Sequence, residues 1–258
     1  YKNKPFGHII INNFLKNDYA EEVFNKFPND YNNWWKYNNP LEVKYANDDI
    51  CNMDDTIKNI FYSLSSKKIV DKFSKISGIN NLEYDEYLHG AGLHSHPRYG
   101  RLNMHLDYEK HPYSGKERRL NVILYLSKNW SPSWNGDTQL WNKDMTQCII
   151  RSNVIFNTAI IFETNNLSWH GLPDKIMCPE NIHRHSLAYY YVSELMTKSN
   201  ISKYGSNDVG YRTKAAYIKR PTDKFDNRLE LLYNIRPFRR ITQEDMNNIW
   251  PEWTKYND

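Results

Sequence analysis

Cysteine is scarce in this chain of 258 residues, and long apolar runs are absent from it. Cys51, Cys148 and Cys178 are odd in number and far apart, and they form no CxxC pair. They therefore indicate neither a disulfide framework nor a cysteine zinc site, and they favour a reducing, cytoplasmic setting. No apolar stretch approaches the roughly 20 residues of a membrane helix, and no signal-peptide pattern is seen, so we expect no membrane partner.

A strong excess of one charge is also missing. The formal net charge is +4 at pH 7, which is too small by itself to indicate binding to nucleic acid or to a membrane surface. The charge is uneven, however, because residues 198–240 hold 11 Lys/Arg and 4 Asp/Glu. Two interpretations stay open: an ordinary solvated basic face, or a rim that attracts an anionic substrate.

The composition is that of a folded protein. Apolar residues make up 40% and aromatic residues 15%, so the chain is not of the disordered class and is long enough to bury a substantial core. We predict a single domain over residues 1–258. Its parts would be an N-terminal strand with supporting helices in 1–80, a β core in 82–193 and a C-terminal extension in 194–258.

Helical patterns dominate the N-terminal part. Apolar residues recur at helical spacing in residues 17–27, which predicts a first helix. Residues 54–77 carry two further apolar stripes at the same spacing, and Gly78 is the expected C-cap. We expect these helices to pack on one face of a sheet.

From about residue 82 the pattern changes to short runs typical of β-strands, separated by clusters of Gly, Pro and Asn. Such runs without intervening helices predict an antiparallel sandwich or jelly roll. Beyond residue 194 the pattern weakens, and only residues 242–250 predict a helix, with Thr242 as N-cap and Asp245 three residues later. The predicted strands are 8–15, 83–89, 101–107, 119–126, 137–141, 147–150, 154–162, 168–171 and 184–193.

The segment Asn103-Met-His-Leu-Asp-Tyr108 contains two candidate metal ligands. On a strand, residues two apart face the same side, so His105 and Asp107 would point together. His170, which follows the predicted strand 154–162, is the candidate third ligand. Two histidines and one carboxylate on one face of an octahedron leave three positions open. This arrangement suits non-haem Fe(II) that binds a bidentate co-substrate and O₂.

The HxD triplet alone is weak evidence, because the chain has nine histidines. Its position ahead of His170 and of Arg184-His-Ser186 makes the pattern more specific. A dicarboxylate that chelates iron through its keto-acid end needs its far carboxylate neutralised. A guanidinium does this in a bidentate fashion, and a hydroxyl on the same strand face adds a hydrogen bond. Arg184 and Ser186 supply this pair; the alternative is that Arg184 forms a structural salt bridge.

Together these segments resemble the 2-oxoglutarate and Fe(II)-dependent oxygenase superfamily, in its prolyl-4-hydroxylase-like branch. The resemblance implies a double-stranded β-helix, Fe(II) at His105, Asp107 and His170, 2-oxoglutarate at Arg184, and O₂ as the second co-substrate. Besides a weaker match at 8–15, the matching segments are Gly92-Leu-His-Ser-His-Pro97, His105-Leu-Asp-Tyr108, Arg119-Leu-Asn-Val-Ile-Leu-Tyr-Leu126, Trp134-Asn-Gly-Asp-Thr-Gln-Leu-Trp141, Phe162-Glu-Thr164, Ser168-Trp-His-Gly171 and Arg184-His-Ser-Leu187.

Five more residues would lie near this site if the resemblance holds. Asn121 and Tyr125 share one strand face and would line the co-substrate pocket, although core packing explains Tyr125 as well. His94 and His96 would share a strand face near the mouth, as substrate contacts or as supports of the metal ligands; the alternative is ordinary polar surface. Trp141 is a candidate substrate contact, with burial in the core as its simpler explanation.

The implied activity is that of a dioxygenase that hydroxylates a substrate while 2-oxoglutarate is converted to succinate and CO₂. Related halogenases lack the carboxylate ligand, so Asp107 favours hydroxylation, or a desaturation or dealkylation outcome. Animal prolyl hydroxylases usually anchor the co-substrate with Lys, so Arg184 points to another subgroup. The substrate stays open between a small molecule and a peptide, and the basic region favours an anionic one.

Three other functions stay open. One is a dealkylase of the same superfamily that acts on nucleic acid or on a small molecule. In the nucleic-acid branch a second Arg follows the first by six positions; Tyr190 stands there, so nucleic acid is disfavoured as a partner. A non-catalytic, metal-binding jelly-roll module would keep the three ligands without a pocket. A zinc hydrolase could use the same ligands, but Arg184 and Ser186 would have no role in it.

Overall fold

The computed structural model describes residues 1–195 and 212–256, and these ranges contain five α-helices and thirteen strands. The part of the basic region before residue 212 lies outside them. The helices are α1 (Asn17–Lys26), α2 (Asp55–Ser65), α3 (Lys67–Ser77), α4 (Asn227–Ile235) and α5 (Gln243–Ile249). The strands are β1 (His8–Asn12), β2 (Trp35–Asn39), β3 (Glu42–Asn47), β4 (Glu83–Tyr84), β5 (Gly92–His96), β6 (Arg101–Leu106), β7 (Glu117–Tyr125), β8 (Thr138–Trp141), β9 (Cys148–Ser152), β10 (Thr158–Glu163), β11 (His170–Leu172), β12 (Arg184–Ser193) and β13 (Ala216–Tyr217).

The strands form one antiparallel sheet in the order β1-β10-β7-β12-β5-β3-β6-β11-β8-β9, with β13 on β6, β2 on β3 and β4 on β12. The sheet curves until its distant strands face each other. On β7, the hydroxyl oxygen of Tyr125 lies 2.9 Å from Thr138 Oγ1 of β8 and 3.2 Å from the carbonyl oxygen of Ser152 on β9. The result is a nearly closed barrel, which confirms the predicted jelly roll.

Side chains that alternate along β7 and β12 point to the two faces of the sheet. One face is covered by helices, and the other forms the interior of the barrel. Leu120, Val122 and Leu124 of β7 are buried in the same apolar cluster as Ile57 of α2 and Phe73 of α3. Burial of each large apolar side chain contributes about 1.5–3 kcal/mol, so this cluster docks the N-terminal helices on the sheet. The intervening residues of β7 face the barrel interior, where the candidate site lies.

The helix predictions hold with small changes. The two stripes over 54–77 form two helices, α2 and α3, which are separated at Ser66 because this residue has extended backbone angles. Gly78 caps α3 in the left-handed conformation, as predicted. Thr242 and Asp245 form the predicted reciprocal cap of α5. The longest described helices have 11 residues, and none within residues 1–195 and 212–256 is long and apolar enough to cross a membrane.

Several strands differ from the sequence predictions. The predicted strand 83–89 is paired only at β4, because the Asp85 side chain accepts a hydrogen bond from the backbone of Tyr87 and turns the chain. Strands β2, β3 and β13 were not predicted, and β5 was expected only through the resemblance, which placed His94 and His96 on one strand face. The Asn-rich composition before residue 40 and the glycines near residue 91 obscured their alternation.

The C-terminal part packs back on the barrel through a second apolar cluster. Leu232 of α4 and Met246 of α5 are buried with Val43 of β3 and Tyr217 of β13. The sequence predicted α5 but not α4, because the apolar residues of α4 make this local contact and do not form a long stripe at helical spacing. The extension therefore covers the barrel next to β6, the strand that carries His105.

Candidate active site

Strands β6 and β11 bring the three predicted metal ligands together. They pair in antiparallel register with His105 directly opposite His170, and Asp107 follows the end of β6. The Nε2 atom of His105 lies 3.5 Å from one carboxylate oxygen of Asp107, and Nε2 of His170 lies 3.3 Å from the other. One ligand atom from each residue falls within 4.8 Å of the others, which is close enough for one ion to contact all three.

The backbone orients both imidazoles. Nδ1 of His105 lies 2.9 Å from the carbonyl oxygen of Asn103, and Nδ1 of His170 lies 2.8 Å from that of Ser168. A carbonyl only accepts, so each Nδ1 carries the proton and each Nε2 presents a lone pair toward Asp107. Burial and the neighbouring His170 lower the pKa of His105, which keeps it a neutral ligand at neutral pH.

Asp107 is held ionised by two neighbours. Its Oδ2 accepts a hydrogen bond from the side-chain amide of Asn121 at 2.8 Å and lies 3.2 Å from Nη2 of Arg118. Burial works against ionisation, but the positive charge of Arg118 opposes it, and the pKa of Asp107 lies well below its usual range. The Asn121 hydrogen bond and the Arg118 ion pair both involve Oδ2, so Oδ1 is the oxygen left for a metal.

Arg118 reaches the site because of a bulge in β7. Tyr191 of β12 pairs with Leu120 and the next residue, Val192, pairs with Arg118, so Arg119 is an extra residue. Simple alternation would put Arg118 on the helix-covered face; the bulge turns it to the face of Asn121. There its Nε donates to Asn121 Oδ1 at 2.9 Å, and its guanidinium carbon lies 3.2 Å from the ring centre of Tyr190.

Arg184 opens β12 and is 1% exposed. Its guanidinium donates to the carbonyl of Gly136 at 2.7 Å, to Ser186 Oγ at 3.2 Å and to Thr138 Oγ1 at 3.3 Å. All three partners are neutral, and no carboxylate among the described residues pairs with it. This excludes the structural salt bridge with any of those residues and leaves a buried positive charge for an anion to neutralise.

One cavity of about 140 Å³ contains both the metal ligands and Arg184. Its walls combine apolar and polar groups. Ile123, Leu172 and Ala188 are among the apolar members, and Thr138 and Ser186 add hydroxyl groups beside Arg184. Asn121, His94 and His96 also line it, whereas Tyr125 and Trp141 do not.

His94 and His96 lie on β5 opposite Ser186 and Arg184. Burial, reinforced by the nearby cations Lys44 and Arg184, lowers the pKa of both histidines well below the ordinary value. Both ring nitrogens of His96 are buried without a hydrogen-bond partner. The two residues therefore form a neutral polar wall whose hydrogen-bonding capacity is open to a bound molecule.

The structure places Tyr125 and Trp141 outside the cavity. Tyr125 is fully buried, and its ring centre lies 5.1 Å from the guanidinium carbon of Arg184, so it supports that side chain from behind. Trp141 packs with Met104 and Trp169 on the other face of the sheet, and its indole nitrogen donates to Gln139 at 3.0 Å. Packing in the core therefore explains Trp141, as the simpler sequence interpretation had it.

Sequence reasoning missed several wall residues. Thr138 lay inside a segment that was recognised, and its position two residues after Gly136 was an available signal. Arg118 could not be found from alternation because of the bulge. Lys44 and Tyr217 come from distant segments; Tyr217 stacks on His105 with ring centres 5.2 Å apart.

Comparisons with known proteins agree with this geometry. Residues 91–192 match the 2OG-Fe(II) oxygenase superfamily. No curated protein matches the chain in sequence. A prolyl-4-hydroxylase from Pseudomonas putida is 11% identical, with a TM-score of 0.51 over 73% of this chain and 93% of that one. A Trichoplax adhaerens prolyl hydroxylase, solved with a peptide fragment of the hypoxia-inducible factor oxygen degradation domain, is 18% identical, with a TM-score of 0.52 over 72% of this chain and 84% of that one.

At such low identities the structural likeness shows the fold, a double-stranded β-helix, and the sequence match relates residues 91–192 to the 2OG-Fe(II) oxygenase superfamily. The matched residues 91–192 include all three candidate metal ligands and Arg184. This part of the chain is therefore similar to the 2OG-Fe(II) oxygenase superfamily, and the fold is that of the prolyl hydroxylase structures.

Proposed function

We propose that this protein hydroxylates an organic substrate, with Fe(II) held by His105, Asp107 and His170 and with 2-oxoglutarate held by Arg184. Succinate and CO₂ would be released. One observation carries the proposal: the buried guanidinium of Arg184 has only neutral partners and faces the same cavity as the three metal ligands. A dicarboxylate that reaches from metal to guanidinium satisfies both ends of that cavity.

The donor atoms fit Fe(II). Two imidazole nitrogens with fixed tautomers and one ionised carboxylate oxygen make the two-histidine, one-carboxylate set that leaves positions open for further ligands. Asn121 and Arg118 act on Asp107 in this proposal, so Asn121 supports the metal rather than the co-substrate. Such supporting groups orient ligands and tune their affinity.

The far end of the cavity fits a carboxylate. Arg184 offers charge, and the hydroxyls of Thr138 and Ser186, both beside it, offer further hydrogen bonds. Tyr125 holds the guanidinium from behind. His94 and His96, neutral because of burial, would contact the bound molecules without adding charge.

When bound, iron, 2-oxoglutarate and O₂ supply the oxidising power: 2-oxoglutarate loses CO₂ and takes up one oxygen atom to become succinate, and the other oxygen atom becomes the hydroxyl of the substrate. The protein binds and orients these groups and shields them from water. Arg184 sets the direction of the co-substrate, and Ile123, Leu172 and Ala188 keep water from part of the cavity wall.

The substrate is proposed to be a small molecule or a peptide. The Trichoplax adhaerens neighbour was solved with a peptide, and the cavity of this chain is open to either class. A second Arg that would favour nucleic acid is replaced by Tyr190, whose ring instead supports Arg118.

The decisive experiment measures succinate formed from 2-oxoglutarate by the purified protein under air with Fe(II). The Arg184→Gln variant should need roughly 10- to 100-fold more 2-oxoglutarate, because a charge-assisted hydrogen bond contributes about 1.5–3 kcal/mol. Its Fe(II) affinity should stay close to that of the unmodified protein. Arg184→Lys keeps the positive charge but loses the bidentate hydrogen bonding of the guanidinium. We therefore expect it to need an amount of 2-oxoglutarate between that of Arg184→Gln and that of the unmodified protein.

Arg119→Gln is the matched control, since Arg119 is half-buried on β7 and donates to Ser193 away from the cavity. It should leave the 2-oxoglutarate requirement unchanged. The proposal fails if the unmodified protein forms no succinate with Fe(II). Activity that Zn(II) restores as well as Fe(II) does would instead indicate a hydrolase, and metal binding without turnover would indicate a binding module.

A further inference from the structure

We infer that the mouth of the cavity binds an anionic group of the substrate, a carboxylate or a phosphate, through Lys44, Lys214 and Arg240. This inference rests on the function proposed above and adds the chemical class of the substrate to it. Its basis is a group of positive charges that neither the metal site nor the co-substrate site uses.

The cavity is strongly cationic. Bound Fe(II) and bound 2-oxoglutarate carry opposite charges of equal size, so they leave the balance of the lining unchanged. An uncompensated cationic cleft concentrates anions, and low-dielectric walls strengthen that effect. Six Lys/Arg side chains and two carboxylates line the cavity, namely Lys44, Arg118, Arg184, Lys214, Arg236 and Arg240 against Glu42 and Asp107.

The two carboxylates already have partners. Asp107 pairs with Arg118 at 3.2 Å. Glu42 pairs with Arg236 at 3.2 Å, and Lys44 lies farther from the same carboxylate, at 3.8 Å. The Glu42 carboxylate is therefore shared by two positively charged side chains. Among the described residues, the Lys44 ammonium has no acceptor closer than this carboxylate.

Lys214 and Arg240 pair with no carboxylate in the described parts of the chain. The guanidinium carbon of Arg240 lies 5.0 Å from the ring centre of Trp35 and 5.5 Å from that of Tyr37. Nζ of Lys44 lies 5.0 Å from the ring centre of Tyr37 as well. Two cations therefore lie within 5.5 Å of the centre of the Tyr37 ring.

The titration of neighbouring groups agrees with this arrangement. Burial lowers the pKa of Lys44, and Arg236 and Arg240 lower it further against the opposing effect of Glu42. Burial and His111 lower the pKa of His89 to about 4, with further contributions from Lys214 and Arg240. His89 lines the same cavity, and Lys214 and Arg240 both act on its pKa, so these two cations lie in one region.

The arginines of the C-terminal segment other than Arg240 pair with nearby acids in the described residues. Arg220 pairs with Asp174 at 2.6 Å, and Arg228 pairs with Asp226 at 2.7 Å. Lys219 and Lys224 pair with no described acid either, but they lie outside the cavity lining. The described part of the basic region is thus mostly a paired surface, with two of its free charges placed at the cavity mouth.

Isothermal titration calorimetry with sulfate and, separately, with acetate tests the inference. The protein is loaded with Fe(II) and 2-oxoglutarate without O₂, so that the co-substrate site is filled and no turnover occurs. Sulfate stands for a phosphate-like group and acetate for a carboxylate, and the tighter of the two identifies the preferred anion. The double variant Lys214→Gln, Arg240→Gln should bind that anion roughly tenfold or more weakly, because two charged contacts are lost.

The double variant Lys219→Gln, Lys224→Gln removes the same charge from outside the cavity and should bind the anion as the unmodified protein does. The inference is overturned if the unmodified protein binds neither anion, or if both double variants weaken binding equally. These outcomes are separate from failure of the proposed function, which shows as absence of succinate formation by the unmodified protein.

Discussion

Arg118 is the side chain on which the geometry of Asp107 depends most directly. It is buried against Tyr190, it binds Asn121, and it pairs with the carboxylate oxygen that the metal would not use. We predict that Arg118→Met, which keeps much of the apolar volume, weakens Fe(II) binding by about 10- to 100-fold, because a carboxylate without its supporting partner loses orientation. Anaerobic Fe(II) titration measures the effect.

Arg119→Met is the control for this prediction, since the neighbouring arginine points away from the cavity and binds Ser193. Equal Fe(II) affinity of Arg118→Met and the unmodified protein would show that Asn121 alone holds Asp107. Unfolding curves of both variants check that the fold is retained.

The buried ring of His185 makes the stability of the fold depend on pH. Its ring stacks on Phe27 with centres 4.1 Å apart and lies 2.9 Å from the hydroxyl of Tyr31, and burial lowers its pKa to about 3. The unfolded chain takes up this proton near pH 6.5 whereas the folded chain does not, so acid favours unfolding. We predict that protonation of His185 on unfolding lowers the free energy of unfolding by roughly 1 kcal/mol for each pH unit of acidification between about pH 6 and pH 4.

Urea unfolding of the unmodified protein and of His185→Gln at several pH values measures this contribution. The variant is less stable at neutral pH, but its stability should fall less steeply on acidification. Parallel pH profiles for the two proteins would contradict the prediction.

Strand β11 is the element whose close approach to β6 sets the distance between the metal ligands. A Cβ atom at Gly171 would meet the carbonyl oxygens of Leu102 at 2.7 Å and Asn103 at 2.9 Å. We predict that Gly171→Ala pushes β11 away from β6, displaces His170 from His105, and costs about 1–3 kcal/mol of stability. Fe(II) affinity should fall along with stability, as measured by titration and by chemical unfolding.

Gly78→Ala is a suitable control because Gly78 has positive φ and open space around it. It should cost about 1–2 kcal/mol through backbone strain alone. Its Fe(II) affinity should be unchanged; a similar loss of affinity in both variants would mean that general destabilisation explains the effect at Gly171.

The whole molecule is predicted to unfold as one unit, as expected for a single domain over residues 1–258. Leu232 of the C-terminal extension and Leu124 of the barrel are both fully buried, in different clusters. Leu→Ala at either position should lower the free energy of unfolding by about 2–5 kcal/mol while retaining one cooperative transition. Far-ultraviolet circular dichroism and tryptophan fluorescence should report the same midpoint.

A separate early transition in Leu232→Ala, without a matching one in Leu124→Ala, would show that the extension folds independently. The contacts argue for one unit. Arg236 of the extension pairs with Glu42 of β3, and Tyr217 stacks on His105, so the extension and the metal site share interactions.

The sequence by itself determined the parts that depend on local pattern. Alternation placed His105 and Asp107 together, turn residues and short apolar runs predicted the jelly roll, and the order of His170 and Arg184 after them indicated the co-substrate. Helical spacing found α1 to α3, and a cap found α5. Apart from the order of His170 and Arg184, each of these signals lies within a few residues, where geometry follows from backbone periodicity.

Only the tertiary structure decided what depends on contacts between distant segments. It opposed His105 and His170 in register, turned Arg118 inward through a bulge in β7, and moved Tyr125 and Trp141 out of the cavity wall. It also showed which bases of the C-terminal segment meet an acid and which stand free at the cavity mouth. Strand register and the pairing of charges are properties of the folded chain. Each depends on contact between two segments that are distant in sequence, and the sequence pattern of neither segment indicates that contact.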